Sequence, residues 1–143
     1  MIVSTRGRYA LHVLMYLAEH RDEGYIPLKD VAERVSVSHK YAESIMGELS
    51  RAGLVDGVHG RGGGYRLNRP PAAYSLGEVL RITEGNLAPV SCLERDASPC
   101  GEAERCKTLP VWEQLYRLVN DYLDSVSLAD ILDDSGGGPP KAC

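Results

Sequence analysis

The sequence contains no long uninterrupted run of apolar residues. A helix needs about eighteen such residues to cross a membrane, and no window of the chain approaches that length. The first six residues, Met1 to Arg6, also lack the apolar core of a secretory signal peptide. We therefore expect a cytoplasmic protein that makes no contact with a membrane.

Cysteine is absent from the first 91 residues and then appears at positions 92, 100, 106 and 143. A cluster of three cysteines in a cytosolic chain argues against a disulfide framework and favours metal or redox chemistry.

Enzyme signatures are absent as well: no catalytic triad, paired carboxylates or cofactor fingerprint is recognisable. No Lys-Ser/Thr pair follows the glycines at 60–64, which excludes a Walker-type phosphate loop. The sequence thus predicts a protein that is not an enzyme.

The net charge of −4 is unevenly distributed along the 143 residues. Residues 1–70 hold ten Lys and Arg against eight Asp and Glu, whereas residues 71–143 hold six against twelve. The acidic excess therefore lies in the second half, and the overall charge does not argue against nucleic-acid binding by the first.

Apolar periodicity and turn residues predict a mainly α-helical chain with one small β-hairpin. Helices are expected over 5–20, 28–34, 38–52, 75–83 and 109–126, with a short final helix from Ser127. Ser38 and Ser75 are expected N-caps, Ser75 with Glu78 in a capping box, and Gly53 is an expected C-terminal stop. The hairpin is expected around the glycine-rich tip at 60–64. The predicted divisions are a DNA-binding domain at 1–70, a cysteine loop and long helix at 71–134, and a disordered tail at 135–143.

Two short helices followed by a hairpin predict a winged helix-turn-helix, which binds double-stranded DNA. The second helix is expected to bury Tyr41, Ile45 and Leu49 and to point its first turn into the major groove. Glu43 repels phosphate but can accept a hydrogen bond from cytosine. The predicted DNA-binding residues are Ser38, His39, Lys40, Tyr41, Glu43, His59, Arg61, Gly62 and Gly63. Glycine-rich hairpins are common, so the alternative that Arg61 is simply solvated stays open.

The long helix at 109–126 carries a seam at 3-4-3-4 spacing, formed by Trp112, Leu115, Val119, Tyr122 and Val126. This spacing is typical of helices that pair with another helix. We interpret it as a homodimer contact, with an intramolecular core helix as the alternative. Val111, Leu118 and Leu123 widen the apolar face and are placed to pack on the chain's own core.

The cysteine spacing, Cys92-x₇-Cys100-x₅-Cys106, is compatible with more than one bound metal or cofactor. Three thiolates from one loop suffice to anchor an iron–sulfur cluster whose fourth ligand differs. Structural zinc usually uses short Cys-x₂₋₄-Cys pairs, which are absent here. Zinc and a bare set of redox thiols remain alternatives on spacing alone. Cys143 is interpreted as a bystander.

Several segments together resemble the IscR-like winged helix-turn-helix regulators of bacteria, a family with NsrR and CymR types. These segments are 5–11, 28–32, 41–43, 49–55, 60–67 and 75–84, and the likeness covers about residues 1–134. The resemblance implies a homodimeric, nucleoid-associated repressor of iron–sulfur assembly or stress genes. It also implies a cluster on Cys92, Cys100 and Cys106, with 2Fe–2S preferred and 4Fe–4S as the alternative. Glu43 matches a glutamate implicated in cluster-dependent operator choice.

The fourth ligand departs from the family pattern. Leu109 stands where IscR has a histidine, and Arg8 stands where some relatives have an acidic residue. His12, supplied by the other subunit, is the leading candidate, against the alternative of an ordinary helix histidine. Other oxygen donors in the loop are Glu94, Asp96, Glu102 and Glu104. The competing functions are a cluster-free repressor of cysteine metabolism controlled by a protein partner, and a small zinc-binding or electron-transfer protein.

Overall fold

The first helix, α1 (Thr5–Glu19), supplies the centre of the core in a computed structural model that describes residues 3–134. The disordered tail predicted for 135–143 lies outside the described residues. Ser4 caps α1 by accepting a hydrogen bond from the Gly7 amide at 3.0 Å. Four apolar residues of α1 are fully or almost fully buried, namely Ala10, Val13, Leu14 and Leu17. Their 3.6-residue spacing places them on one face, as the sequence predicts.

Helices α2 (Leu28–Arg34) and α3 (His39–Arg51) pack together across a tight turn. Ser36 adopts a φ of 56° in that turn, which reverses the chain within a few residues. Ser38 caps α3 by accepting from the Tyr41 amide at 3.1 Å, and Gly53, at a φ of 76°, follows its end. The predicted caps are thus confirmed. One detail was wrong: the buried face is Ala42, Ile45, Met46 and Leu49, with Tyr41 half-buried at its edge.

Strands β1 (Val55–Val58) and β2 (Gly64–Leu67) form the predicted antiparallel hairpin. Val55 lies opposite Leu67, and Val58 lies opposite Gly64. The segment before α2 extends this sheet, because Ile26 and Tyr65 exchange backbone hydrogen bonds of 2.8 and 2.9 Å. Strand β2 is therefore joined, close to the hairpin tip, to the segment that leads into α2.

Helix α4 (Leu76–Glu84) begins at Ser75, whose hydroxyl accepts from the Glu78 amide at 3.1 Å. The predicted capping box is only half formed. The Glu78 carboxylate pairs with Arg69, with 3.1 Å between Nη2 and Oε1, and no bond from it to the Ser75 amide is found among the described residues. Arg69 contacts both carboxylate oxygens of Glu78, at 3.1 and 3.4 Å, and this two-point contact turns the carboxylate toward the guanidinium.

The last described elements are the long helix α5 (Leu109–Ser125) and the short helix α6 (Leu128–Asp134). Segments 74–76 and 126–128 pair: the Leu76 amide donates to the Val126 carbonyl at 2.9 Å, and the Leu128 amide donates to the Tyr74 carbonyl at 3.0 Å. Leu128 is fully buried. The predicted fold class, mainly α with one small hairpin, is confirmed. Within residues 3–134, every helix is too short or too polar to cross a membrane.

Candidate nucleic-acid interface and cysteine loop

The first turn of α3 is exposed while its opposite face is buried. Ser38, His39, Lys40 and Glu43 are all exposed, as is Ser44. Backbone amides in the first turn of a helix lack intrahelical acceptors and favour an anion such as phosphate. The structure therefore presents the predicted base-reading residues to solvent, with Tyr41 at the boundary of the core.

Arg6 of α1 holds α3 from the side. Its Nε donates to Glu48 Oε2 at 2.8 Å, and its Nη2 lies 3.2 Å from both the carbonyl and the hydroxyl oxygen of Ser44. The guanidinium also lies 5.9 Å from the centre of the Tyr41 ring. This contact was not predicted from the sequence. The one local sign of the contact is that Arg6 is a basic residue in the first turn of a helix, where the helix dipole disfavours positive charge.

The tip of the hairpin is exposed over residues 58–62. Gly60 and Gly62 adopt φ angles of 91° and 71°, and the Gly63 amide donates to the Gly60 carbonyl at 3.0 Å. His59 and Arg61 are exposed on this turn. Gly63 is half-buried, and a Cβ there would collide with the Val58 carbonyl. Gly63 therefore closes the turn, and Arg61 is the cation that the turn presents.

Gly64 makes the closest backbone approach in the hairpin. It has a φ of 149°, and a Cβ there would collide with the carbonyl of Ile26. The absence of a side chain is what lets Ile26 pair with Tyr65. Nearby, Arg66 stacks over the Tyr25 ring at 4.6 Å and lies 3.8 Å from Asp56. The hairpin is thus held at a defined angle beside α3.

The cysteine loop follows α4 and contains two short 3-10 turns, Ser91–Leu93 and Ala103–Arg105. Cys92 and Cys100 are exposed, Cys106 is partly exposed, and all three are free thiols. The Thr108 hydroxyl lies 3.4 Å from Cys106 Sγ, and hydrogen bonding by Thr108 lowers the pKa of this thiol. Thiolate is the form that binds metal.

The three thiols fit an iron–sulfur cluster by their chemistry, since thiolates are the usual protein ligands of such clusters. Their arrangement does not yet form a site. Within residues 3–134, no three His, Cys, Asp or Glu side chains are grouped so that they could hold a metal ion. His12 is half-buried on α1, and Glu94, Asp96, Glu102 and Glu104 are exposed. Binding a cluster would therefore require the loop to rearrange.

Glu84 connects the start of this loop to α1. Its Oε1 accepts from the Ser4 amide at 2.9 Å and from the Ser4 hydroxyl at 2.6 Å. The same carboxylate lines a cavity of about 300 Å³ together with Asn86, Ala88, Pro89, Val90, Ser91 and Glu94. Ser4 and Arg6 belong to one turn of chain, so the loop and α3 both attach to the beginning of α1. The sequence gives no sign of this link, because its partners are 80 residues apart.

Helix α5 has an exposed apolar stripe that differs from the predicted seam. Val111, Leu115, Leu118 and Tyr122 are 58%, 39%, 57% and 67% exposed. The predicted members Trp112 and Val119 are half-buried instead. The expectation that Val111 and Leu118 pack on the chain's own core was wrong. The stripe keeps a 4-3-4 spacing, which suits pairing with another helix.

Comparisons with known proteins agree with this architecture. The family model named Rrf2, iron-dependent transcriptional regulator, matches residues 3–134. The chain is 33% identical over 135 residues to the HTH-type transcriptional regulator IscR of Aliivibrio salmonicida, covering 94% of this chain and 79% of that protein. The solved structure of T. potens IscR is similar at a TM-score of 0.72 and 32% identity, covering 100% of this chain and 94% of that one.

The structure of CymR, the global cysteine regulator of B. subtilis, is equally similar. Its TM-score is 0.75 at 33% identity, and the match covers 94% of this chain and 98% of that one. These likenesses confirm the winged-helix fold and the predicted resemblance. They do not distinguish between the two kinds of regulator.

The Gly64 approach gives a first prediction. Gly64→Ala should lower the free energy of unfolding by about 2 kcal/mol or more, because alanine is strained at this φ and its Cβ meets the Ile26 carbonyl. Urea unfolding at one fixed protein concentration measures the effect. Gly101→Ala is the control, since a Cβ there meets no atom within 4 Å. Equal stability of the two variants would contradict the proposed role of Gly64.

Proposed function

This chain belongs to the Rrf2 family of transcriptional regulators, and we propose that it is a cytoplasmic homodimeric repressor controlled by an iron–sulfur cluster. Members of this family are DNA-binding regulators and not enzymes. The proposal depends mainly on one observation: the first turn of α3 and the glycine-rich hairpin tip are presented to solvent together. Both are exposed, and both are fixed to the same core through Arg6 and Gly64.

For the DNA contacts, we infer that Ser38, His39 and Lys40 enter the major groove at the N-terminus of α3. The exposed carboxylate of Glu43 would contribute discrimination by accepting from a cytosine amino group. Arg61 and His59 on the hairpin tip would contact the minor groove, where Gly62 and Gly63 allow close backbone approach. Tyr41 is placed to contact the DNA backbone only from the edge of the core, because it is half-buried.

The exposed stripe on α5 supports a homodimer. Four large apolar side chains on one helix face are unfavourable in water, and helices of a two-fold dimer bury such faces against each other. A dimer also presents two recognition helices to a two-fold symmetric operator, which one subunit cannot read fully. A second copy of this chain is therefore the partner that we propose for Val111, Leu115, Leu118 and Tyr122.

Cys92, Cys100 and Cys106 are the residues that would hold the cluster, with His12 of the partner subunit as the proposed fourth ligand. A bound cluster supplies a group that gains or loses electrons and is lost when its ligands are oxidised. A change in the loop would reach DNA through Glu84, Ser4 and Arg6, since these side chains connect the loop to α1 and α1 to α3. We prefer a 2Fe–2S cluster, with 4Fe–4S as the alternative.

A second candidate function is a cluster-free repressor of cysteine or sulfur metabolism that is controlled by a protein partner. Two observations favour it: the three thiols are not gathered among the described residues, and CymR, a cysteine regulator, is as similar as IscR. A small zinc-binding or electron-transfer protein is a weaker candidate, since neither function uses a recognition helix and wing.

A second prediction concerns Arg61. DNA selected by the protein from a random duplex pool serves as the operator, and Arg61→Ala should weaken its binding about tenfold and flatten the slope of log affinity against log salt by about 0.9. Arg117→Ala is the control, because Arg117 is equally cationic and exposed but lies on α5. An unchanged affinity and salt slope for Arg61→Ala would exclude the proposed wing contact.

A third prediction separates the two modes of control. Protein purified without oxygen should be brown, and alanine at Cys92, Cys100 or Cys106 should abolish the visible absorption and alter operator affinity. Cys143→Ser is the control and should keep both. His12→Ala should change the spectrum if His12 is a ligand. A colourless wild-type protein that binds the operator equally well with and without iron would overturn cluster sensing in favour of the cluster-free repressor.

The fourth prediction concerns the dimer. Leu118→Asp should convert the protein from dimer to monomer, because a carboxylate buried in an apolar helix pair would lose its hydration. Sedimentation equilibrium measures the mass directly. Arg117→Asp places the same side chain at the neighbouring exposed position and should leave the dimer intact. A dimeric Leu118→Asp protein would show that another surface joins the subunits.

A further inference from the structure

Arg81 of α4 makes a two-pronged contact with α5. Its Nη1 and Nη2 lie 2.8 Å from the two carboxylate oxygens of Asp124, and Nη2 also donates to Asn120 Oδ1 at 2.7 Å. Asn120 is oriented in turn, because its Nδ2 donates to the Tyr116 carbonyl at 2.7 Å. Bidentate guanidinium–carboxylate pairs constrain both distance and angle, unlike a single ion pair. Arg81 and Asp124 with Asn120 form what we call the α4–α5 joint.

The absence of a side chain at Gly77 leaves room for the same joint. A Cβ at Gly77 would collide with Asp124 Oδ1 and lie 3.1 Å from Arg81 Nη1. Gly77 is buried on α4, four residues before Arg81. Glycine loses more backbone freedom on folding than other residues do, and the close approach of Asp124 accounts for its presence at this position. Gly77 therefore provides the space in which the Asp124 carboxylate meets Arg81.

The joint matters because the apolar contact of α5 with its own subunit is only partial, with Trp112, Val119 and Leu123 half-buried. Helix α5 has no fully buried residue, and none of its side chains belongs to the described hydrophobic core. Its C-terminal end is tied by the backbone pairing of 74–76 with 126–128. Arg81 then sets the angle between α5 and this backbone pairing, because it contacts two successive turns of α5 at Asn120 and Asp124.

We propose that the α4–α5 joint positions the long helix and thereby sets the half-site spacing that the dimer selects in DNA. The inference rests on the proposed function, in which two α5 helices join the subunits. Helix α5 has 17 residues and is about 25 Å long at 1.5 Å per residue. A tilt of about 10° at the joint would move its far end by about 4 Å, roughly the rise of one base pair. Arg81, Asp124 and Gly77 are positioning residues in this scheme and need not contact DNA.

The test uses the full-length protein and an operator selected by the wild type from a random duplex pool. Derivatives of that operator have their half-sites moved closer or farther by one and two base pairs. Arg81→Asp and Asp124→Arg are measured singly and as the double charge exchange. Gly77→Ala disturbs the same joint without changing any charge, and Arg117→Asp is the control for charge change elsewhere on α4 and α5.

The wild type should prefer its selected spacing over each altered spacing. In the Arg81→Asp, Asp124→Arg and Gly77→Ala proteins this preference should fall by about tenfold or move to another spacing, with total DNA binding retained on the best duplex. The double exchange should restore most of the wild-type preference, because the ion pair reforms with reversed polarity. Arg117→Asp should keep the wild-type profile. Sedimentation and circular dichroism confirm that each variant is folded and dimeric.

Two results would overturn the inference while the proposed function stands. One is an unchanged spacing profile in all three single variants. The other is an equal loss of affinity at every spacing in folded dimers, which would indicate a purely structural role. If the wild type selects no DNA with paired half-sites, the proposed dimeric DNA binding fails and the inference fails with it.

Discussion

The rest of the structure depends on Tyr74, whose side chain and backbone connect the end of α3 with the start of α6. The ring is fully buried, its hydroxyl donates to the Leu54 carbonyl at 2.7 Å, and its own carbonyl accepts from the Leu128 amide at 3.0 Å. Leu54 lies between α3 and the hairpin, and Leu128 begins α6. A buried carbonyl needs a partner, so loss of this phenol would leave Leu54 unsatisfied. The segment between α3 and the hairpin and the start of α6 are therefore both bonded to one buried residue of the core.

The beginning of α1 likewise connects distant parts of the chain. Ser4 meets Glu84 at the edge of the cysteine loop, and Arg6 meets Glu48 on α3. These contacts are polar and half-exposed, so each contributes little to stability by comparison with the apolar core. Their value is geometric, because charged and bidentate hydrogen bonds have defined directions. A network of this kind can be rearranged at low cost, whereas displacement of α1 from the core cannot.

Local features were predictable from sequence, and long-range contacts were not. Ser38, Gly53 and the hairpin glycines act on neighbouring residues, so their caps and turns follow from residue type. The predicted α5 seam combines residues of two overlapping stripes with similar spacing: Leu115 and Tyr122 are exposed, whereas Trp112 and Val119 are half-buried. Only contact with α4 decides which stripe is covered. Arg6–Glu48 and Ser4–Glu84 join residues 42 and 80 positions apart, and no local pattern marks such pairs. The three cysteines were identified as a set, but spacing in a loop does not determine whether they converge.

The cysteine-bearing part of the loop, residues 91–108, lies outside the core, and this constrains how any ligand could act. Leu87 and Ala88 at the start of the loop are buried, whereas no residue from 91 to 108 is. Cluster binding and partner binding would each order the same exposed segment next to Glu84. In the function that we propose, the two modes of control differ in what holds the loop, while the hydrogen bonds from Glu84 to Ser4 and from Arg6 to Glu48 are common to both.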